Sequence, residues 1–137
     1  MNTFKLKIIT IRKYFFNGEA VSLTLPHIDG GSECFLANHE NTVFPIIPGE
    51  MKVVDKDGTT YDAFVGDGFL EFINNEALVV CASAELPEEI DERRATEAMI
   101  RAEEELRQKR SIQEYNISQM NMARAMERLK VKNRHKI

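Results

Sequence analysis

The chain has 137 residues, 43% of them hydrophobic and 29% charged, with a formal charge of −4. That suits one ordinary soluble globular domain, or a compact domain with an appendage. No apolar run approaches the ~20 residues of a membrane helix, and residues 1–16 alternate like a strand with no cleavage site after them, so a cytoplasmic protein is expected.

The charge is unevenly placed. Residues 1–86 carry 6 basic and 12 acidic side chains, whereas residues 87–137 carry 12 basic and 10 acidic. Eight of the nine arginines fall between Arg93 and Arg134. Two modules with different tasks are expected, 1–86 and 87–137. Cys34 and Cys81 are too few for a disulfide framework and lack metal spacing, so both are expected to be reduced, buried thiols.

Up to about Ala84 the pattern has period two. "TFKLKIIT" alternates Phe4, Leu6 and Ile8 against Thr3, Lys5 and Lys7. Asn17-Gly18 reads as a tight hairpin turn leading into "AVSLTL". "EMKVV" then meets "TYDAFVG" across Asp57-Gly58, and "GFLEFI" meets "ALVVCAS" across Asn74-Asn75. Short strands with regular turn signals describe an antiparallel β-sandwich or barrel. "VDKDGTT" lacks the remaining ligand frame of a calcium loop and reads as a plain hairpin.

After Pro87 no Gly or Pro occurs. Ile90, Ala95, Ala98, Met99, Ala102 and Leu106 form one weakly apolar helical stripe, which stops near 108–111. Ser111 and Glu114 have capping-box spacing and start a second helix, whose buried side is expected at Ile112, Tyr115, Met122, Met126 and Leu129, with Ala123 helping. An antiparallel two-helix hairpin follows, making the chain α+β. Acid-rich 88–105 then faces base-rich 122–137, and each charge suits its helix dipole. At roughly 25 cal/mol per Å² an alanine-rich seam is a weak interface, and a hairpin held by one can open.

The ordered series of motifs resembles the epsilon subunit of bacterial F-type ATP synthases over the whole chain. "FKLKIIT" and "FFNGEAVSLTLP" resemble its first three strands. "DGG", Asn38-His39, Pro48-Gly49, "GDGFLEF" and the junction "ASAELPEEIDERRA" follow in family order. Two departures stand out. Ile11 replaces a proline, and "GGSECFLANHENTV" replaces the family's Gly-X-X-Gly-Ile-Leu-Pro-Gly-His-Ala-Pro-Leu, keeping His39 but not its glycines and prolines.

The resemblance implies a non-catalytic central-stalk subunit that couples ion flow to rotation, without saying which ion. The sandwich would bind the gamma subunit and the c-ring, with His39 in a docking loop or as an ordinary loop histidine. The hairpin would regulate, permitting turnover when folded and blocking ATP hydrolysis when extended into the alpha/beta head. There Arg124, Arg128, Lys130, Lys132, Arg134 and Lys136 would meet an acidic segment of beta, each with a solvated helix end as its plain alternative. Residues 90–95 complete the family motif Ile/Leu-Asp-X-X-Arg-Ala, which in some members binds regulatory ATP. Glu85, Ile90, Asp91, Arg94, Ala95, Arg101, Arg124 and Arg128 match such a site.

The chemistry fits. Arginine offers a planar, permanently charged fork to a polyphosphate. No phosphate loop or hydrolytic magnesium site accompanies it, so no catalytic cofactor is expected and any ATP would be a regulator. Asp91 and Arg94 also suit a simple surface ion pair. The alternative class is a free-standing, non-catalytic nucleotide sensor. A nucleic-acid module resting on "RLKVKNRHKI" lacks interleaved aromatics and sits on an acidic body, and the histidines have no paired nucleophile. Placement at the cytoplasmic face of the bacterial membrane, peripheral and only through the complex, follows from the resemblance.

Overall fold

The structure, a computed structural model, describes residues 2–107 and 112–135, with 112–114 in backbone only. The chain divides into two compact units, Met1–Leu86 and Pro87–Ile137. The first holds nine strands: β1 (Phe4–Ile9), β2 (Tyr14–Pro26), β3 (Ser32–Leu36), β4 (Thr42–Ile46), β5 (Gly49–Asp55), β6 (Thr60–Val65), β7 (Gly68–Ile73), β8 (Glu76–Cys81) and β9 (Ala84–Glu85).

They form one hydrogen-bonded series, β4-β7-β8-β1-β2-β5-β6-β9, with β3 also on β2. Strands near opposite ends of that order, such as β4 with Phe44 and β6 with Ala63 and Val65, share a single core with Leu6, Leu23, Val53, Leu70 and Val79. A nine-stranded series can do this only by folding over itself, and the result is a sandwich.

β2 makes the fold-over possible. Residues 14–20 pair with β1, then residues 20–24 pair with β5 and 22–26 with β3. Between Ala20 and Ser22 the register slips, a bulge at Val21 where the strand passes from one layer to the other. This overturns the expected turn at Asn17-Gly18. Both residues lie inside the ladder, opposite Lys7 and Leu6. The turn sits at 10–13 instead, where the Thr10 hydroxyl accepts from the amides of Arg12 and Lys13 at 3.3 and 3.2 Å. The Thr10 amide also donates to the Lys13 carbonyl at 2.9 Å, so backbone and hydroxyl together close the turn.

The other two turns form where expected. Asn74 and Asn75 have φ of 48° and 63°, the paired positive angles of a two-residue hairpin between Ile73 and Glu76. At Asp57-Gly58, Gly58 takes φ +83°, and Asp55 Oδ1 accepts from the amides of Asp57 and Thr59, both at 2.9 Å. Phe4, Phe35, Phe44 and Phe72 form an aromatic cluster in the core, with centroids 5.3 Å apart in the Phe4–Phe72 and Phe35–Phe44 pairs.

Cys34 departs from expectation. It is exposed, because Phe35 beside it on β3 takes the inward position and alternation turns Cys34 outward. Cys81 is buried, and burial pushes its thiol up to about 11.

In the second unit a short 3-10 turn, Pro87–Glu89, leads into α1 (Glu92–Arg107), and α2 (Ile112–Arg134) follows. Ser118 Oγ donates to Glu105 Oε2 at 2.9 Å and Lys132 Nζ to the Pro87 carbonyl at 2.9 Å. The start of α2 therefore lies by the end of α1, and its end by Pro87: the helices are antiparallel. Ile90, just before α1, and Ala95 and Ala102 on it are buried, and Ala98, Met99 and Leu106 are half-buried, as the stripe requires.

On α2 the buried side is turned from the expected one. Ser118, Ala125 and Val131 are buried, Met122 and Leu129 half-buried, while Tyr115, Ala123 and Met126 are exposed. Small residues win the seam because alanines on α1 allow close approach that a ring or thioether would block. The expected Ser111–Glu114 cap and the side chain of Ile112 lie outside the described residues.

Three predictions follow from this packing. A Cβ on Gly68 would land on the Val80 carbonyl oxygen and 2.7 Å from Cys81 Cα, both backbone, so Gly68→Ala is expected to cost about 3 kcal/mol in urea unfolding. In alkylation of the native protein near pH ~8.5, Cys34 should react and Cys81 should not. Because the unfolded chain loses the Cys81 proton first, this thiol's contribution to stability should be complete below its ordinary value and fade as pH rises toward about 11, measurable as a falling unfolding midpoint.

Candidate functional site

The motif at 90–95 resolves into separate physical tasks. Ile90 is buried, and its amide closes the 3-10 turn on the Pro87 carbonyl at 3.2 Å. Asp91 stands at the N-cap of α1, with Oδ1 accepting from the Arg94 amide at 3.1 Å, two links that start the helix. Ala95 is buried in the seam. Arg94 itself points its guanidinium into solvent, as does Arg101 seven residues on.

The hairpin brings the expected arginines to one edge. Buried Ala95 and Ala102 on α1, and Ser118 and Ala125 on α2, recur every seven residues and mark the seam. Arg94 and Arg101 each precede a seam alanine, and Arg124 precedes Ala125. In an antiparallel pair, positions one before the seam on each helix share an edge. Arg128 follows Arg124 by one turn. Heights follow from the Glu105–Ser118 contact: with equal rise along both helices, Arg101 lies level with about residue 122 and Arg94 with about residue 129.

By this geometry Arg101 sits near the height of Arg124 and Arg94 near that of Arg128, while Val131, seven residues after Arg124, is buried. Arg124 and Arg128 are half-buried, and Arg124 Nη1 donates to Asn121 Oδ1 at 3.2 Å, which orients its fork. Asn121 was not singled out in the sequence, although its place three residues before Arg124 was the available signal. An edge of this kind suits a polyanion with several charges along a chain.

The remaining candidates are dispersed. Glu85 lies on β9 of the first unit, paired with Phe64. Lys130 bonds Glu127 on its own helix at 3.2 Å, an exposed pair of little energetic weight. Lys132 is held by the Pro87 carbonyl, and Arg134 ends α2. Lys136 lies outside the described residues.

His39 is half-buried at the end of the sandwich, its ring 4.9 Å from Phe35 and 5.5 Å from Phe72, with Nδ1 2.8 Å from the Glu40 carbonyl. Asparagines hold its loop. Asn38 takes φ 64° and donates its amide to Asn75 Oδ1 at 2.6 Å, while Asn41 Oδ1 accepts from the Asn74 amide at 2.9 Å. Asparagine tolerates the left-handed backbone nearly as glycine does, so the departures from the family motif keep a defined loop by other means.

The cap separates Asp91's two possible contributions. Asp91→Ala should destabilise the hairpin by about 1 kcal/mol, and Asp91→Ser should restore most of it, read as helical signal in thermal melts. A loss that Ser does not restore would show that the carboxylate acts other than as a cap.

Residues 3–87 match the family described as ATP synthase, Delta/Epsilon chain, beta-sandwich domain, and residues 88–133 match its long alpha-helix domain. The chain is 37% identical over 129 residues to the ATP synthase epsilon chain of Clostridium novyi, covering 94% of this chain and 97% of that one. It is 38% identical over 136 residues to that of Ruminiclostridium cellulolyticum, covering 99% and 100%. Among solved structures, a chain in the Euglena gracilis mitochondrial ATP synthase assembly of OSCP, F1 and c-ring superposes with a TM-score of 0.76 at 18% identity, covering 91% of this chain and 78% of that one. With a β-sandwich joined to a two-helix hairpin and both halves matched in order, the chain belongs to the ATP synthase delta/epsilon family.

Proposed function

We propose that this chain is the epsilon subunit of a bacterial F-type ATP synthase and that its hairpin is an ATP-responsive brake on hydrolysis. In this reading the sandwich, carrying the His39 loop, attaches to the gamma subunit and the c-ring and turns with them. The folded hairpin permits turnover. Extended, it reaches into the alpha/beta head, where its basic end meets acidic residues and stops the motor in the hydrolytic direction. No helix among the described residues is long and apolar enough to cross a membrane. In this reading the chain meets the membrane only through the complex, peripherally and on its cytoplasmic face.

The observation that carries the nucleotide half is the arginine edge. Arg94 and Arg101 on α1 and Arg124 and Arg128 on α2 face one strip of solvent from two helices joined by a small-residue seam. A triphosphate bridging both helices is bound fully only while they lie side by side. Its binding energy therefore adds to the folded state, by the ordinary linkage between ligand and conformation. Asp91, with one oxygen engaged by the Arg94 amide, keeps a second for the adenine amino group. Ile90 and Ala95 supply the apolar side, and Glu85 precedes the hairpin in the chain.

Calorimetric titration of the isolated chain with ATP tests this directly. Saturable binding is expected, weakened about tenfold or more by Arg124→Ala or Arg128→Ala, the loss of a charge-assisted bond to phosphate. Absence of binding at millimolar nucleotide, or affinity unchanged in both variants, would end the nucleotide reading.

A further inference from the structure

We infer that Lys132 is the latch of the folded hairpin, and that its release is a condition for α2 to engage an acidic partner. The contact stands on its own geometry; its consequence for regulation rests on the folded and extended states proposed above. Lys132 is half-buried in the last turn of α2, and its ammonium donates to the Pro87 carbonyl at 2.9 Å, across 45 residues of sequence. Pro87 opens the helical unit, and the same carbonyl accepts from the Ile90 amide at 3.2 Å. One oxygen therefore ties the start of the unit to its end.

The latch matters because of what surrounds it. The fully buried side chains along the middle of the seam are small, Ala95, Ala102, Ser118 and Ala125, while the larger Met99, Leu106, Met122 and Leu129 are only half-buried. Against so weak an apolar contact, a partly buried bond with a charged donor is a large share of what holds α2 down. Lys130, two residues away, differs in kind. Its ammonium reaches Glu127 on the same helix, a contact that survives intact if α2 swings out. The Lys132 contact breaks when α2 leaves Pro87.

Lys132 thus belongs to two exclusive states. In the folded hairpin its charge is occupied and partly shielded. In the open one it is free, and an acidic segment that captures it removes the latch in the same step. Closure and capture compete for one ammonium group, which couples the hairpin's position to partner binding without any further moving part.

Hydrogen exchange of the full chain without nucleotide tests this. Lys132→Met keeps the aliphatic stem and deletes the charge; Lys132→Arg keeps a donor. The expected result is exchange roughly tenfold faster across α1 and α2 in the Met variant, recovered largely in the Arg variant, with β-strand amides unchanged in both. Helix exchange unaltered in Lys132→Met, acceleration that includes the strands, or an Arg variant as open as the Met variant would each overturn the latch. ATP hydrolysis by the assembled synthase judges the regulatory reading separately: a latch seen by exchange alongside hydrolysis indifferent to Lys132→Met would retain the contact and remove its regulatory consequence.

Discussion

Small side chains facing small side chains between α1 and α2 are the constraint on which the rest of the second unit depends. Ala95, Ala102, Ser118 and Ala125 let the helices approach closely, and each buried methyl contributes only about 0.8 kcal/mol. Close approach has three consequences. It sets the rotation of α2, leaving Arg124 and Arg128 half-buried beside the seam. It puts the buried Ser118 hydroxyl within reach of Glu105, so that no polar group is buried without a partner there. And it leaves the pairing weak enough for single polar contacts to matter.

The first unit is built on the opposite principle. Its nine strands share one core in which Phe4, Leu6, Ile8, Leu23, Val53, Leu70, Phe72 and Val79 are almost wholly buried. β2 is the member that makes two layers out of one series, and its bulge at Val21 is the joint. Where the chain must turn sharply, asparagine does much of the work: Asn74 and Asn75 close a hairpin, and Asn38 and Asn41 tie the loop carrying His39 to that same hairpin. A body this firmly packed suits a part that transmits torque, whereas a hairpin this lightly packed suits one that changes position.

Charge links the two ideas within the hairpin. In the nucleotide reading proposed above, arginines on both helices repel one another in the folded hairpin, and a bound polyanion offsets that repulsion. Lys132 works in the opposite sense, since the Pro87 carbonyl holds it in the folded state with no ligand present. In that reading an anion at one place and a backbone oxygen at another both favour the closed hairpin.

Sequence by itself determined what depends on near neighbours. Alternation through Phe4, Leu6 and Ile8 specified a strand face; Asn74-Asn75 and Asp57-Gly58 specified turns by their tolerance of positive φ; the change of period after Pro87 located α1. The spacing of Arg94 to Arg101 and of Arg124 to Arg128 already implied two charged helix faces. Tertiary structure decided what depends on partners distant in the chain. Asn17-Gly18 became strand because β1 on one side and the core on the other outweigh a dipeptide's turn preference. α2 buried Ser118 and Ala125 rather than Tyr115 and Met126 because the alanines opposite select for size, which a hydrophobic pattern does not encode. Cys34 turned outward because Phe35 took the core. The tie from Lys132 to a carbonyl had no signature at all, since backbone oxygens look alike in a sequence and only folding chooses which one a lysine meets.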